Sequence, residues 1–92
     1  MAIYQSKLFL RQIKKIRPQE KESLDIAVKM ILENPLLGEE KAGDLKGVLI
    51  YKFKLHNTLY LLAYRSNEFD LELIMFGRHE NYYRDLKNYL KG

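Results

Sequence analysis

Cysteine is absent from this 92-residue chain, so neither a disulfide framework nor a thiolate metal site is available, and packing alone must hold the fold. The two histidines make no zinc site without thiolate partners, and no glycine-rich phosphate loop is present. No metal and no cofactor are therefore expected. Long apolar runs are missing as well. The N-terminal stretch MAIYQSKLFLRQIKK has LFL as its longest, far short of a secretory h-region or a membrane span, so the chain is expected in the cytoplasm with no membrane partner. Repeats, low-complexity tracts and linkers are also lacking. A chain of this length buries roughly 60–65% of its unfolded surface, so residues 1–92 are read as a single domain.

What the chain does have is uneven charge. The net is +4, weak support for an anionic partner when taken as a sum. Residues 1–21 carry Lys7, Arg11, Lys14, Lys15, Arg17 and Lys21 against Glu20, whereas residues 22–45 are mainly acidic, with Lys29 and Lys41 the exceptions. From Lys46 onward basic residues return beside aromatic ones. That interleaving suits nucleic acid, because cations hold phosphates while rings stack on bases. A solvated surface of mixed sign accounts for the charges equally well.

Periodicity divides the chain in two. Ile3–Gln5 reads as a short opening strand. Ser6 is placed to cap a helix with Phe9, Ile13 and Ile16 on one side, and Pro18 fits the first turn of a second helix. Leu24, Ala27, Val28 and Ile31 give that second helix its apolar stripe, and Pro35 ends it. After NPLLGEEKAGDLKG the period changes from 3.6 to 2. In VLIYKFKLH, Leu49, Tyr51, Phe53 and Leu55 point one way, while Ile50, Lys52, Lys54 and His56 point the other. LYLLAYR and FDLELIMF follow across the turn compositions HNT and SNE, completing an antiparallel three-strand unit. From His79 to Lys91 the period is helical again, with Tyr82, Leu86, Tyr89 and Leu90 on one side. The expected class is α+β: a helical hairpin covering one face of a mainly antiparallel sheet, the other face partly open, and a C-terminal helix.

The strings GDLKGVLIYKFKL, LYLLAY and FGRHENYYRDLK, in that order after two helices, resemble the RelE/ParE superfamily of toxins, and within it a ParE-like toxin subgroup. The resemblance spans nearly the whole chain in element order, and its specific part is roughly residues 43–87. It implies a RelE-like fold and the toxin half of a bacterial type II toxin-antitoxin pair, whose partner is a cognate antitoxin. It also implies metal-independent cleavage of mRNA, in many members on the ribosome, and hence inhibition of translation. Two alternatives come with the superfamily: inhibition of DNA gyrase, as in ParE proper, or an inactive member kept as a binding component.

Carried over residue by residue, the resemblance matches Lys52 and Lys54 to basic side chains at the scissile phosphate. Side chains two apart on a strand lie about 6.6–6.8 Å apart on one face, comparable to the phosphate step of extended RNA. One departure is clear. Ribosome-dependent RelE members carry an arginine after the tyrosine of the next strand, where this chain has Leu61 after Tyr60, which leaves Arg65 and Arg78 as candidates to replace it. His79 and Tyr83 stand four apart with Tyr82 adjacent, an arrangement similar to the histidine and aromatic residue of some RNA-cleaving relatives. A histidine serves as general acid or base near neutral pH; its alternative role here is to cap the helix. The expected catalytic residues are thus His79, Lys52 and Lys54. Arg78, Tyr83, Arg65, Tyr82 and His56 are the expected RNA contacts.

Overall fold

The computed structural model describes residues 2–91. The elements are β1 (Ala2–Gln5), α1 (Lys7–Ile13), α2 (Pro18–Glu33), β2 (Glu39–Glu40), a 3-10 turn at Gly43–Leu45, β3 (Leu49–Leu55), β4 (Thr58–Ser66), β5 (Asp70–Arg78) and α3 (Tyr82–Lys91). They build one five-stranded sheet in the order β1-β5-β4-β3-β2. Only the β1–β5 pairing is parallel. The α+β class holds, and the opening strand expected at Ile3–Gln5 is β1, which starts one residue earlier and joins the sheet beside β5 ahead of the helices. The helix after that strand is two turns long. Ser6 caps it by accepting from the Phe9 N–H at 2.9 Å, and the helix stops at Ile13, leaving Ile16 in the connection.

Phe9, Leu24, Ala27 and Ile31 from α1 and α2 pack on Leu49, Tyr60, Leu62, Tyr64, Leu71, Leu73 and Phe76 of the sheet. The aromatic members form a ladder. Tyr51, Phe53, Tyr60 and Phe76 stack in sequence at 6.1, 5.8 and 5.7 Å between ring centroids. The Tyr60 hydroxyl at its centre donates to Glu20 Oε2 at 2.8 Å, while Glu20 Oε1 accepts from the Arg17 N–H at 3.1 Å and so closes the first turn of α2.

The opposite face is less open than the sequence suggests. α3 lays Tyr82 and Leu86 over Ile50, Leu61, Ala63, Ile74 and Met75, making a second apolar cluster. Tyr89, expected in that core, is 36% exposed instead.

Two irregularities set which side chains share a face. The β3–β4 hairpin closes at His56 and Asn57, both with positive φ (49° and 64°), the two-residue turn whose twist matches that of the strands. In β5, Ala63 pairs with Met75 but Tyr64 pairs with Leu73, so Ile74 is the extra residue of a bulge. Beyond the bulge the alternation is inverted. Phe76 joins the α1–α2 side and Met75 the α3 side.

Candidate active site

The hairpin register assembles the site. Lys52 pairs with Leu61, which pairs with Gly77; Lys54 pairs with Leu59, whose carbonyl accepts from the His79 N–H at 3.1 Å. Lys54, Leu59 and His79 therefore form one cross-strand row on the α3 side, with about 9–10 Å between the outer backbones. Lys52, Lys54 and His79 are all exposed there, beyond the end of α3 that covers Leu61.

His79 does not begin the helix as expected. Asn81 takes a left-handed conformation (φ 59°), which a short polar side chain tolerates, so the chain turns once more before α3 starts at Tyr82. His79 nonetheless meets Tyr83. Their rings lie edge to face at 6.3 Å, and Tyr83 meets Tyr82 in the same way at 5.7 Å.

The remaining expected contacts separate. Tyr82 is core, not surface: it is 2% exposed, its hydroxyl donates to the Met75 carbonyl at 2.6 Å, and burial pushes its ionisation well above the ordinary tyrosine range. Tyr83 is half-buried with its hydroxyl inside and without a hydrogen-bond partner among the described residues, so its ring does not stand free for stacking. Arg78 pairs with Tyr60 and, past the bulge, belongs by alternation to the α1–α2 side. Arg65 lies at the far end of β4, six residues and roughly 20 Å from the His79 row, with Nη1 3.2 Å from Glu72 Oε1. It lines a separate groove of about 550 Å³ with Tyr4, Asn67 and Asp70. His56 sits at the hairpin tip, exposed and next in line after Lys54.

Leu61 explains why no arginine stands in its place. It is fully buried under α3, where a guanidinium would lose its hydration without a partner.

Sequence reasoning missed the sheet edge. Inside the presumed loop, β2 sets Glu39 opposite Ile50, and the Lys41 N–H donates to the Val48 carbonyl at 3.2 Å. Glu39 and Lys41 therefore share the face of Lys52. The Lys41 ammonium lies 2.6 Å from Glu39 Oε1 and 5.4 Å from the centre of the Tyr83 ring. Tyr64 anchors this edge from the other side of the sheet, its hydroxyl accepting from the Gly38 N–H and donating to the Pro35 carbonyl, both at 2.8 Å. A Cβ at Gly38 would sit 2.7 Å from that hydroxyl, so the contact needs glycine. A two-residue strand in an acidic loop carries too little alternation to be recognised from sequence.

The fold has counterparts among known proteins. The model of the ParE-like toxin of type II bacterial toxin-antitoxin systems matches residues 3–87, and the chain belongs to that family. A chain in the crystal structure of the intact E. coli RelBE toxin-antitoxin complex is similar in fold, with a TM-score of 0.67 at 22% identity over 86% of this chain and 96% of that one. No curated protein matches the sequence. Among the described residues, no helix is long and apolar enough to cross a membrane, and no cluster of three or more potential metal ligands occurs.

Proposed function

We propose that this type II toxin is a metal-independent endoribonuclease that cuts mRNA, on or off the ribosome, and so inhibits translation in the bacterial cytoplasm. The observation that carries this reading is the row Lys54–Leu59–His79 with Lys52 beside it, which sets two cations and one titratable group on a single exposed face. Cleavage without a metal requires loss of the 2′-hydroxyl proton, attack of the 2′-oxygen on phosphorus, rupture of the bond to the 5′-oxygen, and a proton for that leaving oxygen. His79 takes one of the two proton steps. Lys52 and Lys54 hold the phosphate and offset the charge that develops on it. Tyr83, perpendicular to the imidazole at 6.3 Å between ring centres, orients it. The cognate antitoxin, carrying an acidic segment, covers this face and blocks it.

One observation favours a second reading. Leu61 is sealed beneath α3, so the site lacks the arginine that ribosome-dependent relatives bring to the phosphate, which suits a protein-binding toxin that poisons DNA gyrase or an inactive binding member. Induced expression followed by mapping of transcript ends, with a gyrase supercoiling assay in parallel, separates the readings. New transcript ends with normal supercoiling support the nuclease; intact transcripts with blocked supercoiling support the gyrase poison. Normal growth with neither effect supports the inactive member.

A further inference from the structure

The lysine and carboxylate at the sheet edge have no role in the reading above. Lys41 is held from two sides, by the Glu39 carboxylate and by the Tyr83 ring, and its side chain is 24% exposed, whereas that of Glu39 is 67% exposed. The cation is thus fixed and the anion lies on the open side. The Glu39 carboxyl is held below the ordinary carboxylate range first by the hydrogen bond from Lys41, then by the charges of Lys41 and Lys52. One carboxylate therefore serves two lysines on a face where Lys54 is also exposed. A phosphodiester oxygen offers the same charge and the same acceptor chemistry to the same ammonium groups.

We propose that Glu39 is the resident counter-anion of a phosphate subsite formed by Lys41 and Lys52, and that a phosphodiester of single-stranded RNA displaces it. The ligand class rests on the nuclease reading; the site itself rests on the geometry of β2. Displacement costs little, since an ion pair whose carboxylate is open to water is only weakly favourable. The cation–ring contact keeps Lys41 in place once Glu39 has moved away. The edge thereby extends the phosphate track of Lys52 and Lys54 across Tyr83, and it screens the track against weakly bound anions when RNA is absent.

The test is equilibrium binding of the full chain to a 2′-O-methyl oligoribonucleotide, which cannot undergo attack by the 2′-oxygen, over a range of salt concentrations. Glu39→Gln is expected to tighten binding about 3- to 5-fold at low salt, the upper end of what an exposed ion pair supplies. Lys41→Met is expected to weaken binding and to reduce the magnitude of the log salt slope by about 0.7. In the Lys41→Met background, Glu39→Gln should give a smaller gain, because its partner is gone. Lys41→Arg keeps the charge and controls for damage to β2, with melting curves reporting the folded fraction. Unchanged or weaker binding by folded Glu39→Gln, or an equal gain with and without Lys41, overturns the proposal. A wild-type chain that shows the expected pattern but cuts no unmodified RNA overturns the nuclease reading and leaves the subsite standing. Cleavage by the wild type together with no effect of Glu39→Gln does the reverse.

Discussion

The two faces of the sheet use their aromatic residues differently. On the α1–α2 side, Tyr51, Phe53, Tyr60 and Phe76 stack into a continuous ladder that α2 closes through Glu20, so each ring is spent on packing. On the α3 side, Tyr82 is packed in the same manner, but its neighbour Tyr83 stands where the apolar cluster ends and the charged residues begin. Both faces bury apolar surface. Only the second leaves a margin of exposed Lys52, Lys54 and His79, where the Lys41 ammonium lies over the Tyr83 ring and His79 meets that ring edge to face, and the start of α3 at Tyr82 sets where that margin falls. The first face is thus wholly packing, whereas the second joins packing to the exposed residues of the proposed site, with Leu61 marking the border.

The largest effect is expected at that border. Leu61→Arg places a guanidinium where α3 leaves it no water and no partner, and an unpaired buried charge costs several kcal/mol. Circular dichroism and chemical denaturation should show a largely unfolded chain, not a better nuclease. A stable, more active Leu61→Arg would show that α3 moves aside and that the border is not fixed.

Next in size is the ladder. Phe76→Ala should lose about 3–5 kcal/mol in urea unfolding, because a buried ring leaves a cavity between Tyr60 and the helices. RNA affinity of the folded fraction should not change. A selective loss of affinity at wild-type stability would mean that the α1–α2 face takes part in binding.

How much of this division was legible in the sequence depends on how regular each segment is. Strands β3 to β5 follow from simple alternation, and the Lys52/Lys54 face was read correctly because no bulge interrupts β3. Arg78 was not, because the extra residue Ile74 inverts the phase of β5, and a bulge leaves no mark in a run of apolar residues. His79 was assigned to the helix since HENYYRDL has helical spacing; the left-handed turn at Asn81 is a local choice that periodicity does not report. Helical spacing already put Tyr82 on the apolar side with Leu86, and the docking of α3 leaves it wholly core, not an RNA contact, with Tyr83 at the margin.

Glu20 links the ladder to α2 and has a smaller expected effect. Its carboxyl is held below the ordinary range chiefly by the hydrogen bond from the Arg17 backbone, against the opposing cost of burial, with Tyr60 and the Arg17 side chain adding to the lowering. A depressed folded-state value means that its contribution is complete above the unfolded value of about 4.3 and is lost as the pH falls through the folded one. Glu20→Gln should therefore cost about 1–2 kcal/mol near neutral pH, and the difference from wild type should shrink below about pH 4. A difference that grows on acidification would contradict the assignment.

Lys52→Ala and Lys54→Ala should change stability least, within about 0.5 kcal/mol, since both side chains are exposed. Each should reduce the magnitude of the log salt slope for single-stranded RNA by about 0.7. An unchanged slope in both would reduce the margin to a solvated surface.

The central claim is that the margin performs proton transfer, and single-turnover cleavage by folded His79→Gln tests it most directly. Glutamine keeps the hydrogen-bonding capacity of the position but does not titrate, so the account predicts a rate about 10²- to 10⁴-fold below wild type with RNA binding nearly unchanged. Cleavage at the wild-type rate would contradict it and remove His79 from the chemistry.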